Sequence, residues 1–91
     1  MRKIEKEMRA AIATARNWSK DNTLVSNDGM NTNVFLHGNH IASVRKADGV
    51  LVVNIDTLRR WPTMTTRSRL RALGAHLVSS KGKLYLDNVE V

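Results

Sequence analysis

Cysteine is absent from all 91 residues of the chain. Disulfide bonds therefore cannot stabilise the protein, and every zinc site built on cysteine thiolates is excluded. Aromatic residues are also few, and Trp18, Phe35, Trp61 and Tyr85 are the whole set. Aliphatic side chains and methionine must therefore form most of the core, and a groove that stacks several unpaired bases is disfavoured.

Long apolar runs are missing as well. A membrane-spanning helix needs about 20 apolar residues, and no run in the chain approaches that length. The charged N-terminal residues are also not followed by the apolar stretch of a secretory signal. We therefore expect a cytoplasmic protein that does not associate with a membrane. The length fits a single domain over residues 1–91, and an apolar content of 42% is typical of a globular chain.

Acidic residues are absent from the segment between Thr57 and Lys83. This basic segment contains Arg59, Arg60, Arg67, Arg69, Arg71, Lys81 and Lys83. Since the other eight basic residues are balanced by the eight acidic ones, the whole net charge of +7 arises from this segment. Clustered positive charge is typical of a face that binds a polyanion, and the alternative is a solvated basic surface without a ligand.

Hydrophobic periodicity predicts an α+β fold that begins with a helix and continues with a sheet. Apolar residues at three- and four-residue spacing predict an amphipathic helix over Ile4–Trp18. An antiparallel β-meander of three short strands is predicted to follow, with Thr23–Ser26 as a candidate fourth strand. The three strands are Val34–Leu36, Ile41–Val44 and Val50–Ile55, with turns at Gly38-Asn39 and Asp48-Gly49.

A second short helix and a C-terminal β-hairpin are predicted to complete the domain. The helix spans Thr63–Gly74, with Thr65 as its N-cap and Gly74 as the residue that ends it. The triplets His76–Val78 and Leu84–Leu86 flank a turn and form the hairpin.

Residues suited to catalysis or metal binding do not form a recognisable pattern. His37 and His40 are three positions apart, but no third histidine or carboxylate follows at the spacing of a metal site. No serine lies in a Gly-x-Ser-x-Gly elbow, and the five glycines do not form a phosphate loop. We therefore predict no enzymatic activity, no metal and no cofactor.

The predicted binding residues are the cations of the basic segment and its tryptophan. They are Arg59, Arg60, Trp61, Arg67, Arg69, Arg71, Lys81 and Lys83. Guanidinium groups fit the oxygen geometry of phosphates, although long arginine stems also cover apolar surface while their heads stay in water. Trp61 is either a platform for base stacking or an anchor in the core or at a sheet edge.

The second helix and the hairpin also match the end of a winged helix. In that fold the helix enters the major groove and the hairpin contacts phosphates. The two upstream helices that a winged helix requires are missing from the prediction, since that stretch is predicted as strands.

Two segments resemble signatures of small accessory proteins of tailed bacteriophages. Phe35–Ala42 is an aromatic-Leu-His-Gly-Asn-x-Ile-Ala turn, and Trp61–Leu73 contains Trp-x-Thr-x-Thr-Thr-Lys/Arg-x-Arg-Leu. The resemblance spans most of the chain and implies the same order of elements and a phage-encoded protein in the cytoplasm of an infected bacterium. It implies no particular activity. Arg71 stands where the pattern of these proteins has asparagine.

Two functions are consistent with the sequence. The first is a non-catalytic protein that binds nucleic acid mainly through phosphates, with duplex favoured because aromatic residues are few. The alternative is a host-takeover protein that binds and inhibits an acidic bacterial protein, such as a nuclease, a polymerase or a defence component. Trp61 or Met64 would then supply an apolar anchor. A virion or assembly component is a third interpretation, and homo-oligomerisation would be its sign.

Overall fold

Three α-helices and eight β-strands make up the protein in the computed structural model, which describes all of residues 1–91. In chain order they are α1 (Lys3–Ala13), β1 (Trp18–Lys20), β2 (Thr23–Asn27), β3 (Asn31–Leu36), β4 (Asn39–Arg45), β5 (Leu51–Val53), α2 (Ile55–Arg60), α3 (Met64–Ala72), β6 (Leu77–Ser80), β7 (Lys83–Leu86) and β8 (Val89–Glu90). Strands β1 to β5 form one antiparallel sheet in sequence order, and β6 to β8 form a second. The predicted α+β class and the order of helix, meander, helix and hairpin are confirmed.

The hydrophobic core lies between the large sheet and the helices. Val25, Val34 and Ala42 occupy paired positions on neighbouring strands, and all three are fully buried. Alternate residues of a strand point to opposite faces, so this row marks the covered face of the sheet. The helices and the small sheet contribute Met8, Ala11, Leu58, Leu70, Ala72 and Leu77 to the same cluster.

Helix α1 ends at Ala13, earlier than the predicted end at Trp18. The Thr14 hydroxyl donates to the carbonyl of Ala10 at 2.8 Å, and Ala15 has a left-handed φ of 51°. Trp18 then begins β1, where it pairs with Val25. The helical spacing of Trp18 was therefore misleading, because its position is set by pairing with a strand that lies later in the chain.

Two-residue turns with positive φ at both positions connect most of the neighbouring strands. They are Asp21-Asn22, His37-Gly38, Lys81-Gly82 and Asp87-Asn88. Turns of this handedness match the right-handed twist of the strands they join. The turn predicted at Gly38-Asn39 thus lies one residue earlier, and Asp48-Gly49 belongs to a longer loop between β4 and β5.

The end of the meander contains a helix that the sequence did not predict. Strand β5 stops at Val53, and Ile55 starts α2 instead of ending a strand. The Asn54 side-chain oxygen accepts a hydrogen bond from the Thr57 N–H at 3.2 Å, which caps α2. A short loop through Trp61 and Pro62 then leads into α3.

Helix α3 is capped by Thr63, two residues before the predicted N-cap Thr65. The Thr63 hydroxyl oxygen accepts from the Thr66 N–H at 3.2 Å. At the other end, Gly74 follows the helix with φ of 107°, as expected for the residue that ends it. None of the three helices is both long enough and apolar enough to cross a membrane.

Candidate functional site

One side of α3 lines the first of two adjoining depressions on the basic surface. Met64, Arg67, Ser68 and Arg71 recur at three- and four-residue spacing, so they share a helix face. Together with Arg2 before α1, they line a groove of about 700 Å³, which we call the helix groove. Its three arginines come from two segments that are distant in the sequence.

The second depression, the hairpin groove, lies between the helices and the C-terminal sheet and has a volume of about 410 Å³. Arg59 of α2, Arg67 of α3 and Lys83 of β7 line it, and Glu90 of β8 is its one carboxylate side chain. Arg67 and Ser79 line both grooves, so the two depressions adjoin at these residues. The fold therefore collects cations from α2, α3 and β7 on one surface.

Arg67 has an unusual polar environment. Its Nε is buried, yet this group has no hydrogen-bond partner within the protein. Buried donors in folded proteins are nearly always paired, because an unpaired one carries a desolvation cost. The Nε–H of Arg67 is therefore left unpaired by the fold, while the residue itself lines both grooves.

Arg69 is a correction to the predicted binding residues. It is only 5% exposed, and its guanidinium donates to Glu5 at 2.8 Å and to the Thr23 hydroxyl at 3.2 Å. The same Glu5 carboxylate also accepts a hydrogen bond from the neighbouring Ser68 hydroxyl at 2.6 Å. Arg69 thus connects α3 with α1 and β2 and is not available to a ligand.

Most other cations of the basic segment have no carboxylate partner. The protein contains four ion pairs, and among these seven residues only Arg69 and Lys83 take part. The Lys83–Glu90 pair is long, at 3.8 Å, and exposed, so it is weak. The guanidinium of Arg71 donates through Nε to the carbonyl of Leu77 at 2.8 Å, and its two terminal nitrogens make no hydrogen bond within the protein.

Besides Arg69, three predicted residues line neither groove. Arg60 is exposed at the end of α2 and lines neither depression. Trp61 lines a third, smaller cavity of about 280 Å³, which we call the Trp61 pocket. Lys81 is exposed at the hairpin turn, next to Gly82 of the hairpin groove. The structure therefore brings Arg59, Arg67, Arg71 and Lys83 together and separates Trp61 from them.

The two closely spaced histidines, His37 and His40, lie in different surroundings and do not form a common site. His40 lies within a hydrogen-bonded row, in which Asn54 Nδ2 faces its Nδ1 at 3.3 Å and Ser43 Oγ faces its Nε2 at 2.8 Å. His37 is exposed in the β3–β4 turn and lines the Trp61 pocket. No group of three or more histidine or carboxylate side chains converges on a point where a metal ion could be held.

Sequence reasoning missed three features of this surface. Arg2 lies outside the basic segment, and only the tertiary structure places it in one groove with residues of α3. Glu90 lies outside the basic segment but enters the hairpin groove through β8, a strand that was not predicted. The Trp61 pocket is formed by two segments that are far apart in the sequence, so no local pattern could reveal it.

Comparison with known proteins identifies the family of the chain. No curated protein and no solved structure shows significant similarity to it. The family model described as Kyanoviridae Gp96 protein, in contrast, matches residues 1–91. This match confirms the resemblance to phage proteins, and the chain belongs to the Kyanoviridae Gp96 protein family.

Proposed function

We propose that this phage protein is a non-catalytic, duplex nucleic-acid-binding accessory protein that acts in the cytoplasm of the infected cell. The observation that carries the proposal is the pair of adjoining grooves lined by Arg2, Arg59, Arg67, Arg71 and Lys83. Within the basic segment, five cations have no carboxylate partner. Unneutralised positive charge gathered on one surface attracts a polyanion and concentrates it there.

Phosphate groups suit this surface better than other anions do. Each arginine presents a planar fork of donors that matches the oxygens of a phosphate. Arg67 lines both grooves, so its guanidinium lies where a phosphate in either depression would be bound. Because the grooves are concave, the convex sugar–phosphate backbone is the part of a nucleic acid that fits them, and such contacts carry little sequence information.

The arrangement of α3 and the β6–β7 hairpin favours a duplex. The outward face of α3 bears Arg67 and Arg71, and the hairpin beside it bears Lys81 and Lys83. A helix followed by a basic hairpin is how winged helices contact duplex DNA. A winged helix also requires two helices upstream of this unit. Helix α2, which the sequence did not predict, lies directly upstream of α3 and provides one of them.

The proposal is tested by a salt titration of binding to a mixed-sequence, blunt DNA duplex, measured by fluorescence anisotropy. If about five phosphates are contacted, log K falls with log salt with a slope of about −4 to −5. A single strand of the same length is expected to give a shallower slope of about −3 to −4 for the same number of contacts, because its charge density is lower. A shallow slope, or binding that disappears at physiological salt, would contradict the proposal.

A host-protein partner is the second candidate function, and two exposed side chains favour it. Trp61 is 52% exposed and Met64 is 73% exposed, although both are large and apolar. Side chains of this kind often dominate the affinity of a protein interface. Substitution of Trp61 by alanine would weaken such an interface strongly but would leave blunt-duplex binding almost unchanged, so the two functions are separable.

A further inference from the structure

The Trp61 pocket lies where the β3–β4 turn meets the α2–α3 corner. From the turn come Leu36, His37, Asn39 and Ile41, and from the corner come Thr57, Trp61, Thr63 and Thr66. Seven of these eight residues belong to the two segments, Phe35–Ala42 and Trp61–Leu73, that stand out in the sequence. None of the eight pocket residues lines either basic groove, so duplex binding in the grooves gives them no function.

The backbone of Trp61, which lines this pocket, is restrained on both sides. The Trp61 N–H donates to the carbonyl of Thr57 at 2.9 Å, and Pro62 restricts the conformation of the residue before it. The ring is nevertheless half exposed, so one part of its surface remains available. Leu36 and Ile41, which are buried core residues, contribute apolar surface to the lining.

The polar groups of the pocket are only partly used within the protein. Thr63 and Thr66 bond to each other, with Thr63 Oγ1 donating to Thr66 Oγ1 at 3.0 Å. The side-chain hydrogen bonds of this region do not involve the Asn39 amide, the His37 ring or the Thr57 hydroxyl. An aromatic face, an apolar wall and several free donors and acceptors therefore surround one small cavity.

We propose that the Trp61 pocket binds a single unpaired nucleobase, which stacks on the indole and directs its polar edge toward Asn39, Thr57 and His37. This inference rests on the proposed function in one respect, since the base would belong to a nucleic acid whose backbone lies on the basic surface. A flat ring with hydrogen-bonding edges matches the combination of an aromatic face with free amide and hydroxyl groups.

An apolar side chain of a partner protein is a poorer match for the pocket. It would cover Trp61 but would leave the Asn39 amide and the Thr57 hydroxyl desolvated without partners, which costs affinity. A fully paired duplex cannot supply the base either, because its bases are stacked inside. The occupant is therefore a base at an overhang, a frayed end or a flipped position.

The test compares a blunt duplex with the same duplex carrying a one-nucleotide overhang, by fluorescence anisotropy. The wild-type protein is expected to bind the overhang duplex about tenfold more tightly, the effect of one stacked base. Trp61→Ala removes this preference and leaves blunt-duplex binding intact. Met30→Ala is the matched control, because Met30 is also large and exposed but lines neither the grooves nor the pocket, and it keeps both the preference and the blunt-duplex affinity.

A second experiment separates the pocket from the basic surface. Adenosine and uridine carry no phosphate, so their binding does not depend on the arginines. Added to ¹⁵N-labelled protein, they are expected to shift the Trp61 indole and the Asn39 side-chain amide signals in the NMR spectrum. These shifts in a protein that fails to bind duplex would uphold the pocket and reject the proposed function.

Two results would overturn the inference. One is the absence of nucleoside shifts at millimolar concentration together with equal affinity for blunt and overhang duplexes. The other is a larger shift of the same signals by N-acetyl-phenylalanine amide than by either nucleoside, which would indicate a protein side chain as the occupant.

Discussion

Glu5 and Arg69 show how a single pair of residues decides which charges are available for binding. Glu5 lies on α1 and Arg69 on α3, and both side chains are buried. Arg69 also donates to Thr23 of β2, so the pair joins three elements. A charge that is paired in this way stabilises the fold and is lost to the binding surface.

Removing one member of this pair is expected to destabilise the protein strongly. Glu5→Gln leaves the Arg69 charge buried without compensation, and we expect a loss of about 3 kcal/mol in the free energy of unfolding. Glu7→Gln breaks the exposed Lys20–Glu7 pair and serves as the control, with an expected loss below about 1 kcal/mol. Urea denaturation of both variants measures the difference, and equal losses would contradict the structural role of the pair.

The same carboxyl group makes stability depend on pH. Burial by itself raises the pKa of Glu5, but the hydrogen bonds from Ser68, Arg69 and the Arg2 N–H and the attraction to Arg69 outweigh it, so the pKa lies below its ordinary value of 4.5. A lowered folded-state pKa stabilises the fold above the unfolded-state pKa, and this contribution is lost as the pH falls through the folded-state value. The stability difference between wild type and Glu5→Gln is therefore expected to be constant near neutral pH and to shrink below about pH 4.5. A difference that stays constant down to pH 2 would show that the Glu5 charge is not the source of the stability.

At the scale of elements, the cap of α3 gives a direct comparison of two threonines. Thr63 accepts a hydrogen bond from the Thr66 N–H, whereas Thr65 lies inside the first turn. Thr63→Ala is expected to cost about 1 kcal/mol of stability, while Thr65→Ala is expected to cost less. Thermal or urea denaturation distinguishes them, and a larger loss for Thr65→Ala would place the cap where the sequence had predicted it.

Local sequence signals located most elements but not all of their boundaries. The strands β2 to β4 and the closing hairpin follow from alternating apolar residues and turn residues. Trp18 and Ile55 were assigned wrongly because each continues a local pattern, while pairing with β2 and capping by Asn54 determine their structures. Strand pairing between distant segments and single capping hydrogen bonds do not change the local hydrophobic periodicity. The ends of helices and strands that depend on them therefore cannot be predicted from that periodicity.

At the scale of the whole molecule, the sequence predicted which segment carries the positive charge. It did not predict which of the basic side chains line the grooves and which are buried. The basic segment does provide most cations of both grooves. Sequence spacing could not reveal that Arg69 is buried, because its partner Glu5 lies near the opposite end of the chain. For the same reason it could not place Arg2 beside Arg71, or Trp61 beside the β3–β4 turn.

The central claim is that the grooves, and not the net charge of the protein, bind the duplex. Two double variants with the same loss of charge separate these causes. Arg59→Gln with Arg71→Gln removes one cation from each groove, whereas Arg16→Gln with Lys46→Gln removes two exposed cations that line neither.

The decisive measurement is the slope of log K against log salt for both double variants on a blunt duplex. We predict that the groove variant weakens binding and makes the slope shallower by about 2, since each lost phosphate contact contributes about 0.9. The control variant is predicted to keep the slope of the wild type. Equal losses of slope and affinity in the two variants would contradict the account, because binding would then depend on net charge alone.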